Sequence, residues 1–148
     1  MKRVFLYTVM IISVLMATNV YAQKNSGIAE DVLDEANHYR RSKGLKELVE
    51  LDELNDIAQK YSEEMASGRT KLGHSGFSKR SAMAARNSSI HFFAENVLFG
   101  ALTGKQAVDF WKRSSGHRRN MLGNYKYTGV GVARNKQGRL FFTQVFGG

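Results

Sequence analysis

The chain of 148 residues contains no cysteine, which removes thiol catalysis, disulfide stapling and thiolate metal sites at one stroke. Any metal would have to be held by His, Asp or Glu. Beyond the N-terminus no stretch is long and apolar enough to cross a bilayer. No nucleic-acid motif is present, so a specific nucleic-acid partner is not expected. A His-Glu-x-x-His helix and a Gly-x-Ser-x-Gly elbow are both missing, which removes the usual marks of a zinc protease and of a serine hydrolase. The pair Gly129-Val130-Gly131 lacks the third glycine of a phosphate loop and lies within a strand pattern. Those glycines instead predict close packing against a neighbouring element.

What is present reads as an ordinary globular protein, with 43% hydrophobic and 24% charged residues. The length suits one domain with a core. Met1-Lys2-Arg3 followed by an apolar run from Val4 to Met16 and by Val20-Tyr21-Ala22 has the pattern of a secretory signal peptide. Residues 1–22 are therefore expected to be removed by cleavage near Ala22, with residues 23–27 a polar lead-in and 28–148 the domain. A secreted, periplasmic or extracellular location follows from that expectation. Loss of Lys2 and Arg3 takes the formal charge from +9 to +7, enough for weak attraction to anionic surfaces.

Apolar residues at Ile28, Val32, Ala36 and Tyr39 have helical spacing, ended by Gly44. Asp52 is read as the N-cap of a second helix with the stripe Leu54, Ile57, Ala58, Tyr61 and Met65, ended by Gly68. A polar loop over residues 69–79 holds Gly73-His74-Ser75, and a short helix is expected over 81–86. Residues 90–99 read as a strand interrupted by Glu95 and Asn96, whose burial demands partners. Thr103 and Gln106 suit a capping box opening the helix of Val108 and Trp111. That helix breaks at Ser114-Ser115-Gly116 and restarts with His117 in its first turn, near a positive helix end that favours neutral imidazole. Residues 125–134 and 139–146 read as two strands joined by the Asn135-Lys136-Gln137-Gly138 turn. Helices packed over a small antiparallel sheet are the natural outcome.

Of four histidines, His38 and His91 have structural or exposed settings, whereas His74 and His117 each follow a glycine at the edge of regular structure. Asn37-x-x-Arg40, Gly44-Leu45, Leu48, Asp52-x-Leu54 and Ala58 resemble the opening of the CAP superfamily, also called the SCP domain. That group includes the cysteine-rich secretory proteins, antigen 5 and the plant pathogenesis-related proteins. Gly73-His74-Ser75, Ala94-Glu95-Asn96-Val97, Trp111-x-x-Ser114-x-Gly116-His117-Arg118-x-Asn120-Met121-Leu122, Gly129-Val130-Gly131 and Phe142-Thr143-Gln144-Val145-Phe146 are similar to its later signatures, in order. The resemblance covers about residues 30–147 and is to bacterial, cysteine-free members.

The resemblance implies an α+β fold, a three-layer α-β-α sandwich with a small, mainly antiparallel central sheet and a cleft. Animal and plant members often carry two histidines and two glutamates there, and some bind a divalent metal through the histidines. Here His74, Glu95 and His117 match three of the four, and Ser114 stands where the second glutamate is usual. The expected cleft residues are thus His74, Glu95, Ser114 and His117, with His74 and His117 as candidate ligands of a divalent cation such as Zn²⁺ and Glu95 as ligand or as a support for one histidine. The leading expectation is a secreted, non-catalytic binding module for an extracellular lipid, wall fragment or protein. The alternative is a metal-assisted hydrolase of peptide or cell-wall material with Glu95 as general base.

Overall fold

The structure is a computed structural model that describes residues 25–87 and 89–148. The segment read as a signal peptide, and the cleavage expected near Ala22, lie outside the described residues. Helix α1 occupies residues 25–42 and so takes in Asn25 to Gly27, which the sequence pattern placed in a lead-in. Once an amphipathic helix is nucleated, extension by a further turn costs little. Strand β1 (Val49–Glu50), helix α2 (Asp52–Ala66), helix α3 (Phe77–Ala84) and strand β2 (Phe93–Phe99) follow. Helix α4 (Gly104–Arg113), helix α5 (Ser115–Met121), strand β3 (Tyr127–Arg134) and strand β4 (Leu140–Gly147) complete the chain.

The sheet order is β1-β3-β4-β2, parallel between β1 and β3 and antiparallel elsewhere. Side chains alternate between its faces, and each face carries its own core. One face packs Ala94, Val130, Val132, Leu140, Phe142 and Phe146 against α1, α4 and α5 through Val32, Ala36, Ala107, Val108, Trp111 and Met121. The other packs Val145 against Leu54, Ile57 and Ala58 of α2 and Ala84 of α3, with Val97 against Tyr61 and Met65. The result is the expected three-layer α-β-α sandwich.

Helix α2 lies so close to β3 that side chains on the strand would collide with it. A Cβ on Gly129 would stand 2.1 Å from the Leu54 carbonyl carbon, and one on Gly131 2.2 Å from that of Ala58. The glycines therefore admit backbone to backbone packing, as their pattern predicted. The same approach lets Asn55 and Gln59 accept hydrogen bonds from the Val130 and Val132 amides at 2.9 and 3.0 Å. Helix side chains thereby close the sheet edge that β1 is too short to cover.

Several boundaries differ from the sequence reading. Leu51 is the N-cap residue of α2, and Asp52 with Glu53 lies in the first turn, where negative charge suits the helix dipole. Helix α3 begins at Phe77, four residues early, directly after the turn at Gly76. Strand β2 starts at Phe93 because the preceding backbone pairs with the chain end, His91 and Phe92 donating to the Gly148 carbonyl at 2.6 Å. Strand β1 has two residues and no sequence period to announce it. The capping box at α4 forms in modified shape: Thr103 accepts from the Gln106 amide, while the Gln106 side chain accepts from Leu102.

Candidate functional site

Glu95 and Asn96 are consecutive residues of β2, so their side chains point to opposite faces of the sheet. The side chain of Glu95 is completely buried. The partners that its burial demands are present. Arg80 of α3 grips the carboxylate with two donors, Nε to Oε2 at 2.6 Å and Nη2 to Oε1 at 2.8 Å. His74 places Nδ1 2.9 Å from Oε1. Paired, forked hydrogen bonding of this kind is the arrangement that makes a buried charge tolerable.

The loop carrying His74 is held by the same cluster. Gly73 and Gly76 have φ of +144° and +75°, conformations that side chains disfavour, and they bracket His74-Ser75. The Tyr61 hydroxyl donates to the Gly73 carbonyl at 2.7 Å, and Arg80 Nη1 donates to the Ser75 carbonyl at 2.7 Å. The Arg80 guanidinium lies 3.3 Å from the centre of the Tyr61 ring. Burial, followed by smaller opposed effects of Arg80 and Glu95, pushes the Tyr61 phenol up from its ordinary value. His74 remains half exposed, with a side-chain exposure of 49%. With Nδ1 given to a carboxylate, its Nε2 is the nitrogen left for the cleft.

On the opposite face of β2, Asn96 donates to the His117 carbonyl at 3.1 Å and accepts from Asn120 at 2.9 Å. Asn120 also donates to the Glu95 carbonyl at 3.1 Å, and Trp111 Nε1 donates to the Val97 carbonyl at 3.3 Å. These bonds fix α4 and α5 along the free edge of β2. His117 sits in the first turn of α5, half-buried, and Ser114 is the junction residue between the two helices. Desolvation lowers the His117 pKa below its ordinary 6.5, and the charge of His74 lowers it further. His74 and His117 thus flank β2 from its two sides, His74 through Glu95 and His117 through Asn96. His38 and His91 are exposed and contribute nothing to this cluster.

A metal-assisted reaction would need this donor set to supply ligands and a base. Glu95 has both oxygens committed to Arg80 and His74. Among the described residues no group of three or more His, Asp or Glu side chains converges. The two imidazoles fall one short of the three protein ligands usual in catalytic zinc sites. The described residues do not make such a centre, and Glu95 supports His74 rather than standing free.

Arg80 is the residue that sequence reasoning missed. The signal was accessible: Phe77, Arg80 and Ala84 fall at helical spacing, which turns Arg80 inward once α3 starts at Phe77. Tyr61 was read only as core, and its hydroxyl's role on the His74 loop has no local sequence signature.

A sequence model of the cysteine-rich secretory protein family, CAP, matches residues 33–146. The chain belongs to the CAP family. A curated relative, the uncharacterised protein YkwD of Bacillus subtilis, is 28% identical over 125 residues, which is 82% of this chain and 48% of that protein. The chain thus spans about half the length of the curated relative it matches. Among solved structures, an extracellular SCP-domain protein of Bacillus anthracis superposes with a TM-score of 0.72 at 24% identity, covering 83% of this chain and 41% of that one. An outer surface protein of Borrelia burgdorferi gives 0.68 at 20% identity, over 78% and 87% of the two chains. A cysteine-rich secretory protein of Staphylococcus aureus gives 0.66 at 20% identity, over 82% and 39%. These likenesses establish the CAP fold, here in its cysteine-free form.

Proposed function

We propose that this CAP domain is an exported binding module that recognises an extracellular ligand in a cleft rimmed by His74, Ser114 and His117, with Glu95 beneath His74, without turning it over. The observation that carries this reading is the state of Glu95. Its carboxylate is fully buried and bound by Arg80 at 2.6 and 2.8 Å, so it serves as a fixed strut under His74. A general base must be free to take a proton from a reacting group. The rim then presents two imidazoles and a hydroxyl, groups suited to polar recognition. Export is supported by the N-terminal pattern of residues 1–22 and by relatives described as extracellular or outer surface proteins. A lipid, a wall fragment or a protein remains the class of partner consistent with such a location.

The test is a calorimetric titration with Zn²⁺, run beside an assay of peptide and peptidoglycan hydrolysis, on the protein and on a His74→Ala/His117→Ala variant. The expected result is weak one-to-one zinc binding that disappears in the variant, with no turnover in either. Zinc-dependent hydrolysis that is lost in the double variant would replace the binding reading with the metal-assisted one.

A further inference from the structure

The carboxylates of this chain are confined. Eleven of the thirteen fall within residues 30–64, and residues 110–148 carry eight Lys and Arg and no Asp or Glu. The elbow between α4 and α5, residues 110–122, therefore carries no carboxylate of its own. Asp109 lies at its threshold, but its carboxylate is taken by Lys105 at 3.0 Å and Lys112 at 3.2 Å. Arg113, Arg118 and Arg119 are exposed and have no ion-pair partner among the described residues. Arg118 is fixed over the end of α4 by donating to the Lys112 carbonyl at 2.8 Å. Beside them Phe110 is 46% exposed, with the Arg113 guanidinium 4.7 Å from its ring centre.

An exposed aromatic ring on an elbow that also carries three arginines without ion-pair partners among the described residues matches the chemistry of one kind of surface. Arginines near an anionic bilayer each gain attraction to the headgroups, and an aromatic side chain gains by entering the interfacial layer. A soluble polyanion would satisfy the arginines and leave Phe110 in water. Phe110 therefore decides between the two. We propose that the Phe110–Arg113–Arg118–Arg119 elbow docks the domain on anionic phospholipid surfaces. The elbow includes Ser114 and His117 of the proposed rim but not His74, which is bonded to Glu95 on the α2–α3 side of β2, so docking would hold one side of the rim against a membrane.

Vesicle co-sedimentation tests this with a chain beginning at Gln23. That chain keeps every core residue, since the core runs from Val32 to Phe146, and it removes the apolar N-terminal run. The probes are vesicles of phosphatidylcholine alone and of phosphatidylcholine mixed with phosphatidylglycerol. Binding is expected only to the anionic vesicles and is expected to weaken with salt. Arg118→Ala/Arg119→Ala should reduce partitioning on the order of twentyfold, from the loss of two charges near the surface. Arg113→Ala/Arg119→Ala, which leaves the Arg118 bond to α4 intact, should do the same. Phe110→Ser should weaken it by roughly tenfold, and His74→Ala, which lies outside the elbow, should leave it unchanged. Equal binding to neutral vesicles, or no binding to either, would overturn the proposal. Loss with the arginine variants but none with Phe110→Ser would reassign the elbow to a soluble anionic polymer. Loss with the histidine variant would tie binding to the cleft instead.

Discussion

The two sides of strand β2 solve one problem by different chemistry. On the α2–α3 side a charged residue, Glu95, is buried and made tolerable by Arg80 and His74. On the α4–α5 side a neutral residue, Asn96, is equally buried and bound to a carbonyl and an amide. The ionic side is a strained bargain between desolvation and pairing, in which removal of one partner strands the other. The amide side loses only hydrogen bonds when broken. The lesson is that one side of β2 is sensitive to charge and the other to geometry.

The sharpest way to break this contrast is Arg80→Ala. It leaves the Glu95 carboxylate buried with His74 as its remaining side-chain partner, and should cost about 3–5 kcal/mol of stability by denaturant unfolding. Arg80→Leu/Glu95→Leu should recover most of that loss, because the desolvation demand leaves with the charges. If the double variant is no more stable than Arg80→Ala, the ionic account of this side is wrong. NMR perturbations from Arg80→Ala should centre on Tyr61, Ser75 and His74, which touch Arg80 or share its carboxylate.

A smaller effect is expected on the other side. Asn96→Ala removes the bonds to His117 and Asn120 and should cost about 1–3 kcal/mol. Its signature is faster amide exchange in α5, because those bonds tie the helix to the strand. Exchange that speeds up equally in α3 would show that the two sides are not separable.

How much of this was legible in the sequence follows the reach of each interaction. Helices α2 and α4 declared themselves through apolar periods, which are local, although Asp52 proved a first-turn residue rather than the cap of α2, and the break before His117 was visible in Ser114-Ser115-Gly116. The glycines of β3 could be read as close-packing positions, though not which helix they admit. Strand β1 could not be seen, because two residues acquire strand character only by pairing with Tyr127 and Thr128. Glu95 announced a need for partners, but the identity of Arg80 depends on α3 turning it toward a strand fifteen positions later. The ordered motifs named the family, and the family pattern pointed to His74, Glu95 and His117 together. It gave no hint that an arginine would occupy the carboxylate.

The finest test of the shared cleft is the titration of His117. Its pKa is lowered by burial first and by the His74 charge second. As the pH falls through about 6.5, the unfolded chain therefore takes up this proton before the folded one does. The contribution of His117 to stability is complete above that range and is lost progressively as the pH drops toward the folded value. An NMR titration should place the His117 midpoint below 6.5. In His74→Gln the midpoint should rise, because one positive neighbour has gone, yet stay below 6.5, because the burial that lowers it most is unchanged. A midpoint that ignores His74→Gln would mean that the imidazoles do not sense one another. The rim would then be two separate histidines on two sides of a strand, and the single-cleft reading would fail on its most direct measurement.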